Sequence, residues 1–200
     1  MIEFFTQIDV ILFYIFNTEL IHPVLDFVMV RITHPEFWII PGIAGLLLFY
    51  KVEKKKALVV IGLSLVTVAI SDPVSSQILK PLFGRARPCH PDLFVEGGRF
   101  LLGMKPSRSF PSSHSMNMFA QAALLCGIYP KRKIYFLSFA SLIAYTRVYT
   151  GVHYPLDIAS GAVFGTLVGL GVFLTYRAAY RKFVTSRERP LASESVTHSD

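Results

Sequence analysis

Residues 158–176 read IASGAVFGTLVGLGVFLTY, a run without a single charged side chain. A helix needs roughly 20 apolar residues to cross the hydrocarbon core of a bilayer, and this run meets that requirement. Gly161, Gly165 and Gly169 recur every four residues within it. They line one face of a helix and let a neighbouring backbone approach closely. The rest of the chain has the same character: of 200 residues, 52% are hydrophobic and only 16% charged. That is too apolar for a soluble domain of this size and reads as an integral membrane protein.

Working outward, further spans are expected over residues 56–79, 112–129 and 134–150. Another runs over 37–50, extended backwards by part of HPVLDFVMVRITH. The span at 56–79 is apolar from Ala57 to Ile70 and is then interrupted by Asp72 and Pro73. A carboxylate is costly in hydrocarbon, so Asp72 should face the protein interior, as a helix-end or a functional group. Residues 4–16 are too short and too interrupted, by Gln7 and Asp9, to span. With their Phe and Tyr residues they read as a helix in the headgroup zone. The expected fold is all-α, a polytopic transmembrane helical bundle of five or six spans. Residues 1–186 form one membrane-embedded domain, with 1–20 as its interfacial helix. Residues 187–200, ending in PLASESVTHSD, form a polar, disordered cytoplasmic tail. No repeat and no second, soluble domain is visible.

Charge sets the orientation. KVEKKK at 51–56, PKRK at 130–133 and the basic stretch YRAAYRKFVTSRER are separated by pairs of spans, so they share one side, and positive-inside bias makes it cytoplasmic. The formal charge of +7 is spread over such clusters rather than along one stripe, which argues against a nucleic-acid partner. The opposite loop is nevertheless basic, with Lys80, Arg85, Arg87, Arg99, Lys105 and Arg108. Cations on that side need another purpose. The N-terminus has Glu3 and Asp9 where a signal peptide would be basic, so it should be retained. The two cysteines, Cys89 in a polar stretch and Cys126 in an apolar run, are poorly placed for a disulfide, and nothing has metal-ligand spacing.

Three clusters fall at one end of the expected bundle. KPLFGRARP places Lys80 and Arg87 where the second span ends. FPSSHS places Ser112, Ser113 and His114 where the next begins, and TRVYTGVHYPLD spaces Arg147, His153 and Asp157. Taken singly, each has a plainer reading as a snorkelling anchor or a helix start. Together they suit phosphoryl chemistry. Lysine and two arginines can cage a phosphoryl group, and a helix N-terminus at Ser112–Ser113 offers free N–H groups to the same anion. One histidine, His153, can attack phosphorus if Asp157 fixes its tautomer; Pro155 reads as the first helical residue, which puts Asp157 in the first turn. The other, His114, can protonate the leaving oxygen.

At these residues the chain resembles the type 2 phosphatidic acid phosphatase superfamily, membrane lipid phosphatases related to the vanadium haloperoxidases. The pattern Lys-x6-Arg-Pro, Pro-Ser-Gly-His, Ser-Arg-x5-His-x3-Asp appears as KPLFGRARP, PSSH and TRVYTGVHYPLD, over roughly residues 58–171. Ser113 replaces the glycine but keeps its backbone N–H, and Thr146 replaces the serine but keeps a hydroxyl. The resemblance implies a phosphohistidine at His153 oriented by Asp157, with His114 as general acid. It implies phosphate held by Lys80, Arg87, Arg147 and the Ser112–Ser113 backbone, with no metal and no other cofactor. It further implies a lipid phosphate as partner in a bacterial plasma membrane, with the site facing the periplasm or exterior. Compactness favours a prenyl diphosphate such as undecaprenyl diphosphate. Phosphatidylglycerophosphate, phosphatidic acid and the lipid A 1-phosphate are the alternatives, and a non-enzymatic lipid-binding or transport protein is a distant one. Selectivity is expected to lie in residues 89–110 and in the N-terminal aromatic segment.

Overall fold

The computed structural model describes residues 2–188. Helix α1 (Ile2–Tyr14) runs into a π-helical turn, Ile15–Glu19, and α2 (Pro23–Thr33) follows. Next come α3 (Pro35–Glu53) and α4 (Lys55–Pro73), and α4 continues through a π-helical stretch, Val74–Leu79, into the short α5 (Lys80–Phe83). A loop over 84–112 leads to α6 (Ser113–Ile128), then α7 (Lys133–Tyr149) and the long α8 (Pro155–Glu188). The tail expected from residue 187 lies outside the described residues from 189 onward.

Three helical stretches among the described residues are long and apolar enough to cross a membrane: Pro35–Glu53, Lys55–Phe83 and Pro155–Ser186. Gln7–Glu19 and Pro23–Thr33 make a fourth if taken as one span, bent by 114°. Helices α6 and α7, of 16 and 17 residues, fall just short of that length, and the expectation of five or six spans depends on them. The second span was expected over residues 56–79 with an interruption at Asp72 and Pro73, and the helix passes through that interruption. The helix runs on to Phe83, and widening to a π-turn just past Pro73 accommodates the residue without an N–H. Nor does the α3 span extend backwards, because His34 is extended (φ −80°, ψ 126°) and precedes a proline.

Helix α6 is the central element. Its Ser115, Met116, Ala120, Ala122, Ala123 and Leu124 are buried, whereas α3 has no buried residue. The glycine face of α8 rests on it: a Cβ at Gly165 or Gly169 would sit 2.1 Å from the carbonyl oxygen of Met116 or Ala120. On another side, polar residues every four positions hold α6 to the second span. Ser113 Oγ lies 2.7 Å from Ser75 Oγ. Asn117 accepts from Ser71 Oγ at 2.6 Å and donates to Asp72 Oδ1 at 2.9 Å, and Gln121 donates to the Ser64 carbonyl at 2.7 Å. With little hydrophobic drive between helices in lipid, such bonds and close packing carry association. Asp72 is exposed on the flank of the bundle rather than buried as expected, its charge turned to Asn117. Both cysteines are free, Cys89 buried and Cys126 half-buried.

The two ends of the bundle differ. At one, the Tyr129 ring lies beneath Lys56 Nζ (4.2 Å) and Arg132 Cζ (6.0 Å), so the basic clusters at 51–56 and 130–133 share an end, as charge alone indicated. The other end holds the 84–112 loop, the 150–154 turn and the N-terminal helix. That helix is docked into the bundle rather than merely resting on it. Phe13 is buried with Val148 and Tyr154, and Asn17 donates to the Arg99 and Tyr149 carbonyls at 2.9 and 2.8 Å while accepting from the Arg99 N–H at 2.7 Å.

Candidate active site

The turn between α7 and α8 positions the central histidine. Gly151 adopts φ +80°, and a Cβ there would meet the Arg99 carbonyl at 2.1 Å, so only glycine fits. The N–H groups of Val152 and His153 both bond back to the Arg147 carbonyl at 3.1 Å, which ties the arginine and histidine of the motif into one turn. Pro155 then opens α8, as the sequence indicated. Asp157 reaches back from the first turn to accept from the Tyr154 N–H at 2.9 Å, a carboxylate cap of the helix.

His153 is 1% exposed and Asp157 fully buried. The His153 Nδ1 lies 3.2 Å from Asp157 Oδ2, and its Nε2 lies 2.9 Å from Arg87 Nη1. Arginine can only donate, so Nε2 must be the acceptor and the ring proton must sit on Nδ1, facing Asp157. The neighbours thus fix the tautomer with its lone pair on Nε2. Burial first, then Arg87, Arg147, Lys80 and His114, hold the His153 pKa well below the ordinary histidine range. The imidazole is therefore neutral at neutral pH.

Three cations surround that lone pair. Arg87 also donates from Nη1 to the Val152 carbonyl (2.8 Å) and from Nε to Ser107 Oγ (2.9 Å). Lys80 donates to the carbonyls of Arg108 (3.0 Å) and Ser109 (3.2 Å). Arg147 is 6% exposed, and its Nε is buried without a hydrogen-bond partner. Among the described residues, none of the three is paired with a carboxylate. Burial lowers the Arg87 pKa, yet guanidinium keeps its charge in proteins, so the positive field is permanent.

At the start of α6, the backbone N–H of Ser112 was expected to face an anion. It instead donates to the Asp157 carbonyl at 2.9 Å, while the Ser112 hydroxyl caps the helix by accepting from the Ser115 N–H at 3.4 Å. Ser112 thereby joins the starts of α6 and α8. The free N–H donors of this helix start are those of Ser113 and His114. The Ser113 hydroxyl is held by Ser75.

His114 is exposed and lines two cavities at once. One, of about 480 Å³, is polar and includes His34, Lys105 and Arg147. The other, of about 370 Å³, is apolar and is walled by Ile32, Trp38, Met118, Phe139 and Ile143. The structure thus brings together Lys80, Arg87, His114, Arg147, His153 and Asp157, with Ser112 and Ser113 at their edge.

Arg85 and Asp9 were missed from sequence. Arg85 Nη1 donates to Asp157 Oδ1 at 3.0 Å, and its Nη2 donates to Asp9 Oδ2 at 2.5 Å. The signals were present: a third cation in KPLFGRARP, and an acid inside an apolar helix, which in a membrane protein is rarely idle.

The sequence model of the PAP2 superfamily matches residues 57–181. The chain belongs to the PAP2 superfamily. The curated proteins similar to this PAP2 chain include the lipid A 4'-phosphatase of Porphyromonas gingivalis, 34% identical over 82% of this chain and 71% of the relative. The lipid A 4'-phosphatase of Bacteroides thetaiotaomicron is 34% identical over 90% of this chain and 81% of its own length. Among solved structures, LpxE of Aquifex aeolicus superposes with a TM-score of 0.57 at 29% identity, covering 82% of this chain and 93% of that one. The family match runs from the first turn of α4 into the last third of α8, whereas α1, α2 and α3 precede it.

Proposed function

We propose that this PAP2-type lipid phosphatase removes a terminal phosphate from a membrane lipid through a phosphohistidine at His153. The observation that carries the reading is the pinned tautomer of His153, its Nε2 lone pair facing three cations that pair with no carboxylate among the described residues. In the first step Nε2 attacks phosphorus, an N–P bond forms, and the ester O–P bond breaks. Arg87 Nη1 passes from Nε2 to a phosphoryl oxygen, while Lys80, Arg147 and the N–H groups of Ser113 and His114 take the others. Charge accumulating on those oxygens is stabilised by donors already in place. His114 gives its proton to the leaving oxygen; the substrate's own negative charge favours the protonated imidazole beforehand. In the second step His114 takes a proton from water, the water oxygen attacks phosphorus, and the N–P bond breaks to free inorganic phosphate and restore Nε2. Asp157 holds Nδ1–H throughout and balances the positive charge that the ring gains.

An amphiphile fits the surroundings of His114. Its leaving oxygen belongs where the polar and apolar cavities meet, with headgroup on the His34 and Lys105 side and chain along Trp38 and Phe139. Similarity to lipid A phosphatases over most of the chain supports a phosphorylated glycolipid as the first substrate to try, ahead of a prenyl diphosphate. Positive-inside bias supports a site on the non-cytoplasmic face of the plasma membrane.

The test is phosphate release by protein purified in detergent, against a bisphosphorylated lipid A, undecaprenyl diphosphate and phosphatidylglycerophosphate. Release should survive EDTA, vanish in His153→Ala, and fall about 100-fold or more in His114→Ala. Near-parental turnover in a folded His153→Ala variant would remove the nucleophile from this scheme. Because Cys89 is buried, orientation is read on Arg108→Cys in a cysteine-free background. An impermeant thiol reagent should label it in intact cells, and labelling only after lysis reverses the orientation.

A further inference from the structure

Asp9 is fully buried on α1, 48 residues ahead of the start of the family match at 57, yet it touches the catalytic end twice. Its Oδ1 accepts from the Leu156 N–H at 2.8 Å, a free donor in the first turn of α8. Its Oδ2 accepts from Arg85 Nη2 at 2.5 Å. The other nitrogen of the same guanidinium, Nη1, donates to Asp157 Oδ1 at 3.0 Å, and the group lies over the Tyr154 ring with its carbon 4.0 Å from the centroid. One guanidinium is thus divided between two buried carboxylates, and the three groups carry one net negative charge.

We propose that Asp9 and Arg85 are positioning residues that set the charge and orientation of Asp157 and, through it, the proton on His153. The inference rests on the reading of His153 as nucleophile. Anchoring of α1 alone would need only the bond from Asp9 to Leu156 and the packing of Phe13. Dividing Arg85 between the carboxylates does more. It leaves Oδ2 of Asp157 for His153 Nδ1 and the Tyr154 N–H, and it fixes how much negative charge opposes the cations across the imidazole. Those opposing groups come from every neighbouring element: Lys80 of α5, Arg87 of the loop, His114 of α6 and Arg147 of α7. On the carboxylate side stand Asp157 of α8, Asp9, Arg85 and Tyr154, with Lys80 acting on Asp157 as well as on His153 and with Cys89 beside Arg87 and Arg147.

Charge-changing variants give opposite signs. Asp9→Asn removes a negative charge, so His153 holds a proton less well and the acid limb of the kcat/KM profile moves to lower pH. Arg85→Gln removes a positive charge and moves it to higher pH. Each shift should be about one pH unit. The double variant, which restores one net negative charge, should return the limb to the parental position. Arg85→Lys should leave the limb in place while lowering kcat, because an ammonium lacks the guanidinium's planar fork. A structural anchor would change yield or unfolding temperature without moving the limb in opposite directions. Folded single variants whose limbs stay put, or move the same way, overturn the proposal. If Arg85→Gln does not fold, Asp9→Asn and the double variant decide in the same manner. Nitrogen-15 NMR titration of the His153 ring, assigned by its loss in His153→Ala, reads the same shifts without substrate. A protein that releases no phosphate but shows opposed imidazole shifts would disprove the phosphatase reading while upholding the link. Turnover with unmoved shifts would do the reverse.

Discussion

Two sets of cations sit at the same end of this molecule and are treated differently. Arg85 and Arg99 are each closed by carboxylates: Arg85 by Asp9 and Asp157, Arg99 by Asp26, which also accepts from the Tyr149 hydroxyl at 2.6 Å. Among the described residues, Lys80, Arg87 and Arg147 bond to carbonyls, a hydroxyl and a histidine but to no carboxylate, and one buried nitrogen of Arg147 has no hydrogen-bond partner. Burying a charge without a counterion is expensive, and evolution ordinarily avoids it. On the proposed function, the contrast separates cations that hold the fold from cations kept for the phosphate of the substrate. Arg99 ties the N-terminal segment to the loop, while Arg147, on the same helix as Tyr149, faces the site.

The largest effect that could break this division is at Arg147. Arg147→Gln should lower kcat/KM by about 1000-fold, or about 4 kcal/mol of transition-state stabilisation. Its thermal unfolding temperature should hold or rise, because an unpaired buried charge is removed. A variant that unfolds early while keeping most of its activity would place Arg147 with the structural set.

Arg99→Gln should show the reverse pattern. Stripping the partner from Asp26 should cost about 2 kcal/mol of stability, less than a deeply buried pair because both side chains are partly exposed. Here kcat/KM should stay within about fivefold of parental, read from unfolding curves and phosphate release on the same preparations. A large kinetic loss at unchanged stability would merge the two sets.

The smallest effect is in pH. With His153 held below the ordinary histidine pKa by burial and by the unpaired cations, its lone pair should stay available as pH falls through about 6.5. The acid limb of kcat/KM then lies below that value. The sign for stability follows from linkage: below about 6.5 the unfolded chain takes up a proton that folded His153 refuses, so stability should decline with falling pH in that window. Replacing Arg87 by Gln should bring the limb back toward the ordinary value. An acid limb at 6.5 in the parental protein would mean that the cations do not act on His153 as the geometry implies.

The triad spacing was legible because each motif is local. Arg147, His153 and Asp157 share one turn and one helix start, and Pro155 announces where that helix opens. The glycines of α8 were readable for the same reason, since a four-residue period is a helix face whatever it packs against. The spent N–H of Ser112 was not legible, because its acceptor is the carbonyl of Asp157, 45 residues away in sequence. Nor was the π-helical turn by which the second span absorbs the break at Pro73. Asp9 looked like a flaw in a short apolar helix because its counterion comes from the far side of two spans.

By itself the sequence determined a chain of membrane-spanning helices, the end of the bundle at which its three motif clusters fall, and residue types suited to phosphoryl chemistry. Periodicity, hydropathy and short motifs are properties of neighbouring residues and need no third dimension. Only the tertiary structure decided which nitrogen of His153 is free, which cations already have partners, and that the first helix reaches Asp157 through Arg85. Those outcomes depend on hydrogen bonds and charges between residues distant in sequence, and packing alone sets their distances.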